Sequence, residues 1–476
     1  MVPVRRLLSL AAALTIAVPS ALATTANAQA RPDTTGSAGI GDPYYPLYGN
    51  GGYDVRHYRI DDTYRTHSGR LTGHTTIRAV ATQRLSRFDL DFVLHVDRVV
   101  VDGLPATFTQ PNGHELVVAP RRVLASGAPF TVTVNYHGIP GRTVVNGIAP
   151  WISGPGEAMA MGEPEIAAWW FPSNDHPRDK ATYDVTVRVP HGQQVVGDGV
   201  LVSRTPGPTF TAWRWRMDEP MASYLAAFAA GRFRIESGTA DGLPYTYAVS
   251  RQLSQVEQDS SIRLLRRTPR IVTWLIQHYG PYPFDAIGGV ITSLRSGFAM
   301  ENQSRPAYPY MGDGRGATST VVHELAHQWF GDSVSVNRWR DIWLNEGFAT
   351  FVEWQWAEEK HGRDGAEWLQ HRYSLHPRNA RIWRVTIGNP GIPHLFDGAV
   401  YERGAMTLQA LRNRIGDADF QTVLKTWVVD HAGSTARIGQ FERLAETISG
   451  QDLSSFFAAW LMTDHRPAHT AANGLA

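Results

Sequence analysis

The chain has 476 residues, with 45 Lys+Arg against 44 Asp+Glu, 43% hydrophobic residues and no cysteine. That length exceeds a single core and calls for two or more folded units of soluble, globular composition. The absence of cysteine excludes disulfides, thiol nucleophiles, thiolate ligands and iron–sulfur clusters, and the near-zero charge argues against a nucleic-acid partner. Any metal must be held by imidazole and carboxylate.

In chain order, residues 1–28 read as an export signal. Arg5 and Arg6 form a positive start, Leu7 to Ala23 is mostly apolar, and Ala26-Asn27-Ala28 offers a small-x-small cleavage pattern. The apolar run is short and contains Pro19, which disfavours a membrane anchor. Cleavage near Ala28 or Ala30 would release a secreted or extracytoplasmic protein of net charge −1, since two arginines and no acid are removed. No second long apolar run follows, so no stable membrane span is expected. Residues 29–48, rich in Gly, Pro, Ala and Thr, read as a flexible leader.

Residues 49–237 carry β signals. Thr131 to Tyr136 and Asp184 to Val189 alternate at period 2, and turn residues such as Pro140-Gly141 separate the runs. From 238 to 467 the pattern turns helical: Val256 to Ile276, Ser319 to Phe330, Glu346 to Glu358 and Tyr401 to Ile415 recur at helical spacing. Residues 468–476 form a tail. The expected fold class is α+β multidomain, a β-rich domain followed by a mainly helical one.

The chemistry concentrates in His323-Glu324-Leu325-Ala326-His327. On a helix the two histidines stand one turn apart on one face, where they can share an ion at about 2.0–2.1 Å. Glu324 can reach a water on that ion. Eighteen residues separate His327 from Glu346, which opens the next helical stretch. A carboxylate there is either favoured by the helix dipole or is the third ligand of a His₂Glu zinc site with one open position. The spacing favours the ligand, with zinc as the default ion and Co or Mn able to use the same donors. Glu353, seven residues later on the same face, either orients a ligand histidine or is a solvated face residue.

These residues resemble the M1 (gluzincin) aminopeptidases, in a short secreted bacterial form. The resemblance extends from the zinc motif and Trp343-Leu344-Asn345-Glu346-Gly347-Phe348-Ala349 to three further segments. Phe298-Ala299-Met300-Glu301-Asn302 is similar to the family's Gly-Ala-Met-Glu-Asn motif, and Val400-Tyr401-Glu402-Arg403-Gly404-Ala405 to the segment of its catalytic tyrosine. Phe171-Pro172-Ser173-Asn174-Asp175-His176-Pro177 resembles a segment late in its N-terminal domain. The resemblance implies a saddle-like β domain packed on a thermolysin-like catalytic domain, one Zn²⁺, and peptide substrates with a free N-terminus.

It also implies roles. Glu324 would be the general base, Tyr401 the donor to the developing oxyanion, Glu301 the anchor of the substrate amine, and Ala299 and Met300 the substrate-lining wall. A second amine anchor would be Glu163, with Glu165 as the alternative. Read without the resemblance, Tyr401 is an amphipathic residue at a helix start, and Glu163 and Glu165 are solvated loop acids.

Two departures stand out. Phe298 replaces the motif's first glycine and adds bulk beside the first substrate pocket. Only 75 residues follow Tyr401, too few for the large helical domain of many relatives, so a more open cleft is expected. Rival readings are an endopeptidase or epoxide-type hydrolase on the same zinc site, or an inactive binding protein.

Overall fold

The structure, a computed structural model, describes Met1 and residues 34–111, 113–362 and 364–476. The segment read as an export signal lies outside the described residues except for Met1. Residues 34–476 form one compact unit.

The β-rich half is built on an eight-stranded sheet. Its strands run in the order Val200–Pro206, Phe210–Met221, Ala181–Pro190, Tyr53–Arg65, Arg70–Ala81, Pro129–Gly138, His95–Val101 and Leu104–Pro105. Strand Ala181–Pro190 alternates strictly between buried and half-buried positions, so Tyr183, Val185, Val187 and Val189 all face the core. Each such apolar side chain contributes about 1.5–3 kcal/mol when fully buried. Tyr53–Arg65 pairs with Ala181–Pro190 in parallel, across more than a hundred intervening residues. Trp169, Trp170 and Phe171 are fully buried in the core.

The helical half comprises α1 (Gln255–Leu265), α2 (Thr268–Tyr279), α3 (Arg315–Ala326), α4 (Trp343–His361), α5 (Gly365–Leu375), α6 (Gly398–Ile415), α7 (Asp417–Asp430), α8 (Ile438–Ser449) and α9 (Ser454–Leu461). The single helical run expected over Val256 to Ile276 is two helices. Pro269 lies in the first turn of α2, where its missing amide costs nothing, and a continuous helix could not accommodate it. The boundary expected at 237/238 falls inside strand Phe233–Ala240. That strand belongs to a sheet with Leu243–Ser250, Ile287–Ile291 and Ala307–Tyr308.

Residues 34–48, read as a flexible leader, are packed into the fold. Asp42 is buried, accepts from the Trp339 amide (2.9 Å), and lies 3.1 Å from His176 Nε2. The tail is packed as well: Leu475 is fully buried, and its carbonyl accepts from Gln370 Nε2. No described helix is long and apolar enough to cross a membrane.

The Phe171–Lys180 segment ties the two halves together at the turn after α3. Lys180 Nζ donates to the carbonyls of Asp332 (2.6 Å) and Ser333 (2.9 Å). The Arg178 guanidinium donates to Asn337 O and Ile40 O. These bonds fix the backbone that follows the second histidine.

Candidate metal centre

Helix α3 ends at Ala326 because the chain turns sharply there. His327 is the C-cap, and Gly331 takes φ +138°. A Cβ on Gly331 would lie 3.2 Å from His327 Nδ1, so glycine is what lets the turn close over the ring. His323 and His327 therefore sit one turn apart, with ring centroids 4.8 Å apart. Glu346 comes from the first turn of α4.

Each imidazole donates from Nδ1 away from the centre. His323 Nδ1 bonds Glu353 Oε1 (2.7 Å), and His327 Nδ1 bonds the Phe330 carbonyl (3.0 Å). With Nδ1 carrying the proton, each Nε2 presents a lone pair. Both face Glu346 Oε2, at 3.3 and 3.4 Å. Three acceptors converging in a buried site repel one another unless a cation lies between them. Tetrahedral bonds of about 2.0–2.1 Å separate neighbouring ligands by about 3.3–3.4 Å, so these donors fit zinc in both spacing and chemistry. Burial would raise Glu346, but the two imidazoles in their protonated, donating form hold it down to about 2.

Glu353 resolves in favour of the orienting alternative: besides His323 it accepts from Ser319 Oγ.

The other expected residues surround the same point. A cleft of about 480 Å³ is lined by Glu163, Phe298, Ala299, Met300, Glu301, Glu324 and Tyr401 together with the three metal donors. Glu301 is 4% exposed, and its carboxylate lies within 4.8 Å of donor atoms on Glu324 and His327. The Met300 amide and carbonyl pair with Ala307, which pins this segment along a sheet edge. Of the two candidates for a second acid, Glu163 lines the cleft; Glu165 is buried away from it, and its charge meets Asp175 instead. Glu163 Oε1 is covered and has no hydrogen-bond partner among the described residues. Burial, reinforced by the Glu301 charge, holds Glu163 well above the usual carboxylate range.

Tyr401 reaches the centre because α4 and α6 touch through glycine. A Cβ on Gly347 would lie 2.9 Å from Gly404 Cα, so neither position tolerates a side chain without separating the helices. One turn before Gly404, the Tyr401 ring stacks on His323 at 6.0 Å and 18°. Burial, and after it the Glu346 charge, pushes the phenol well above its ordinary range, so it remains a donor. Burial likewise raises Glu324 to about 8 despite the neighbouring imidazoles, and a carboxyl so placed can hold a proton near neutral pH.

Two contributors were not foreseen. Phe396, 40% exposed, lines the cleft from the irregular stretch before α6, where no periodicity points to it. Tyr224, buried in a 3₁₀ turn, places its hydroxyl 3.5 Å from Glu301 Oε1. Seventy-seven residues separate that pair, and no local signal joins them.

Comparison with known proteins bears on both halves of the chain. Residues 53–225 match the Peptidase M1 N-terminal domain, and residues 267–460 match the Peptidase family M1 domain. Aminopeptidase N of Lactococcus lactis subsp. cremoris (strain MG1363) is 29% identical over 412 residues, covering 79% of this chain and 47% of that protein. Aminopeptidase N of Streptomyces lividans is 27% identical, covering 62% and 36%. The chain thus spans between a third and a half of the length of these curated relatives.

Among solved structures, an M1 zinc metallopeptidase from Deinococcus radiodurans superimposes with a TM-score of 0.78 at 26% identity, covering 89% of this chain and 97% of that one. A mutant of that Deinococcus enzyme was solved with a Tyr-Ser-Ala substrate (TM-score 0.77). A two-domain M1 zinc metallopeptidase mutant was solved with L-arginine (TM-score 0.79). With the β-rich domain, the helical catalytic region and the His₂Glu donors all in place, the chain belongs to the peptidase M1 family.

Proposed function

We propose that the protein is an exported zinc aminopeptidase that releases N-terminal residues, chiefly neutral or apolar ones, from peptides. The observation that carries this reading is the position of Glu301. Its carboxylate is buried within 4.8 Å of donor atoms on Glu324 and His327. An α-amino nitrogen lies about 2.5 Å from the carbonyl carbon of its own residue. An ammonium held by Glu301 therefore brings the first carbonyl, and no later one, to the metal donors. The short peptide held by the Deinococcus mutant supports the same substrate class.

His323, His327 and Glu346 would hold the zinc, which when bound acidifies a water and polarises the scissile carbonyl. Glu324 takes the proton of the attacking water at its carboxylate and returns it to the departing amine. Tyr401 donates its O–H to the oxygen on which negative charge develops, a bond that strengthens as the transition state forms. Glu301 and Glu163 fix the ammonium, and Phe298, Met300 and Phe396 offer apolar surface to the first side chain. Tyr224 steadies Glu301.

The test is hydrolysis of aminoacyl chromogenic amides in free and N-acetylated forms, with and without a zinc chelator, beside Glu324→Gln. Cleavage confined to free amines and abolished by chelator and by the variant is the expected result. Equal cleavage of acetylated substrates would favour the endopeptidase reading, and no cleavage by zinc-loaded protein would favour an epoxide-type hydrolase or a binding protein.

A further inference from the structure

Beyond Glu353 a second cavity opens, of about 600 Å³. Arg267, Arg270, Arg315 and Lys360 line it together with Glu353 and Trp356. None of the four cations has a carboxylate within ion-pair distance among the described residues. Their neighbours differ: Arg263 pairs with Asp313, and Arg266 with Glu236. Glu353 is the only acid in the lining, and its two oxygens are committed to His323 and Ser319. Three of them are held by other contacts. Arg270 and Lys360 lie against the Trp356 ring at 5.8 and 5.2 Å, and Arg267 donates to Thr318 Oγ1. Like charges gathered in one concavity repel each other and raise the local concentration of an anion.

The cavity and the amine anchor approach the pair of metal-donor histidines through different members. Glu301 groups with Glu324 and His327, whereas Glu353 touches His323, at the other end of the pair. From His323 the cavity follows α3 back through Ser319 and Gly316 to Arg315. At a rise of about 1.5 Å per residue, Ser319 and Gly316 lie about 6 and 10 Å along the axis from His323. An extended peptide covers that distance in about two to three residues.

We propose that this cavity receives a carboxylate carried two to three residues beyond the scissile bond, so that the preferred substrates are tri- and tetrapeptides ending in a free C-terminus. The proposal rests on the aminopeptidase reading. The same carboxylate chemistry is available from an acidic side chain at that position, and the experiment separates the two sources.

The experiment compares kcat/KM for four substrates: a tripeptide acid, its C-terminal amide, the amide with Glu at the third position, and an aminoacyl chromogenic amide with no residue beyond the bond. Wild type is run beside Arg270→Gln/Lys360→Gln and, separately, Arg315→Gln. Charge-assisted hydrogen bonds predict a preference for acid over neutral amide of about ten- to a hundred-fold, reduced at least several-fold by the substitutions and by added salt. The chromogenic amide should be cleaved equally by every variant. A gain by the Glu-bearing amide as large as that of the acid assigns the site to carboxylates of either source, and a gain by the acid alone assigns it to the C-terminus.

Equal rates on acid and neutral amide, or a preference that survives both sets of substitutions, would overturn the proposal. Failure on the chromogenic amide would instead count against the aminopeptidase reading. In that event, calorimetric binding of the acid and amide tripeptides to Glu324→Gln protein still decides the matter: tighter acid binding, lost with Arg270→Gln/Lys360→Gln, supports the cavity, and equal binding overturns it.

Discussion

Replacing Glu301 by Gln isolates the charge of the amine anchor. The amide keeps the shape of the carboxyl and an acceptor for Tyr224, whose 3.5 Å contact is already weak. What disappears is the charge facing the ammonium in a site where Glu301 is 4% exposed. Hydrogen bonds between charged groups contribute about 1.5–3 kcal/mol, so kcat/KM for free-amine substrates should fall by roughly ten- to a hundred-fold. Glu301→Ala also strands the ammonium without a partner, a loss of about 3–5 kcal/mol and a fall of about two to nearly four powers of ten.

The assay that identifies the cause is a cycle against a des-amino substrate. Wild type should prefer the amine strongly, and Glu301→Gln should lose most of that preference while retaining wild-type zinc. Glu163→Gln should show a smaller loss, because Glu163 is the carboxyl that burial and the Glu301 charge hold above the usual range. An amine preference unchanged in Glu301→Gln would refute the assignment.

Other expected outcomes concern the supporting structure. Glu353→Ala removes the acceptor of His323 Nδ1, and zinc affinity read in a metal-buffered titration should fall about ten- to a hundred-fold; unchanged affinity would reduce Glu353 to a surface acid. Arg403 is fully buried and donates to the carbonyls of Trp383, Val385, Ala459 and Thr463. Arg403→Met leaves those oxygens unpaired and should cost about 3–5 kcal/mol in denaturant unfolding, against under 1 kcal/mol if the bonds are dispensable. Glu115 lies directly opposite Asp91 in paired buried strands, and burial, then the Asp89 charge, raises it from 4.5 to about 8. The folded chain therefore binds the proton more tightly than the unfolded one. The stabilisation is complete below pH 4.5 and is lost as pH rises towards 8. Glu115→Gln should flatten that slope and raise Tm at pH 8; a Tm that falls there would contradict the sign.

Much of the centre is legible in the sequence because its geometry is local. His323 and His327 share a face by helical periodicity alone, and Glu346 follows at ligand spacing. Glu301, Tyr401 and Glu163 are reached through motif resemblance, since nothing in their own surroundings separates them from ordinary helix and loop residues. What stays hidden is long-range. Phe396 belongs to an irregular stretch, and the contact of Tyr224 with Glu301 exists only once a 3₁₀ turn meets a sheet edge. The parallel pairing of Tyr53–Arg65 with Ala181–Pro190 depends on a distant crossover. Composition alone also misleads at 34–48, where Asp42 and its hydrogen bonds hold a Gly- and Pro-rich segment in the core.

The measurement that tests the central claim most directly is zinc content and free-amine hydrolysis in three proteins: wild type, Glu324→Gln and Glu346→Ala. The account predicts one zinc in the centre for wild type and Glu324→Gln, hydrolysis by wild type alone, and loss of both zinc and activity in Glu346→Ala. Glu346→Ala protein that keeps its zinc and its activity would contradict the assignment of this centre.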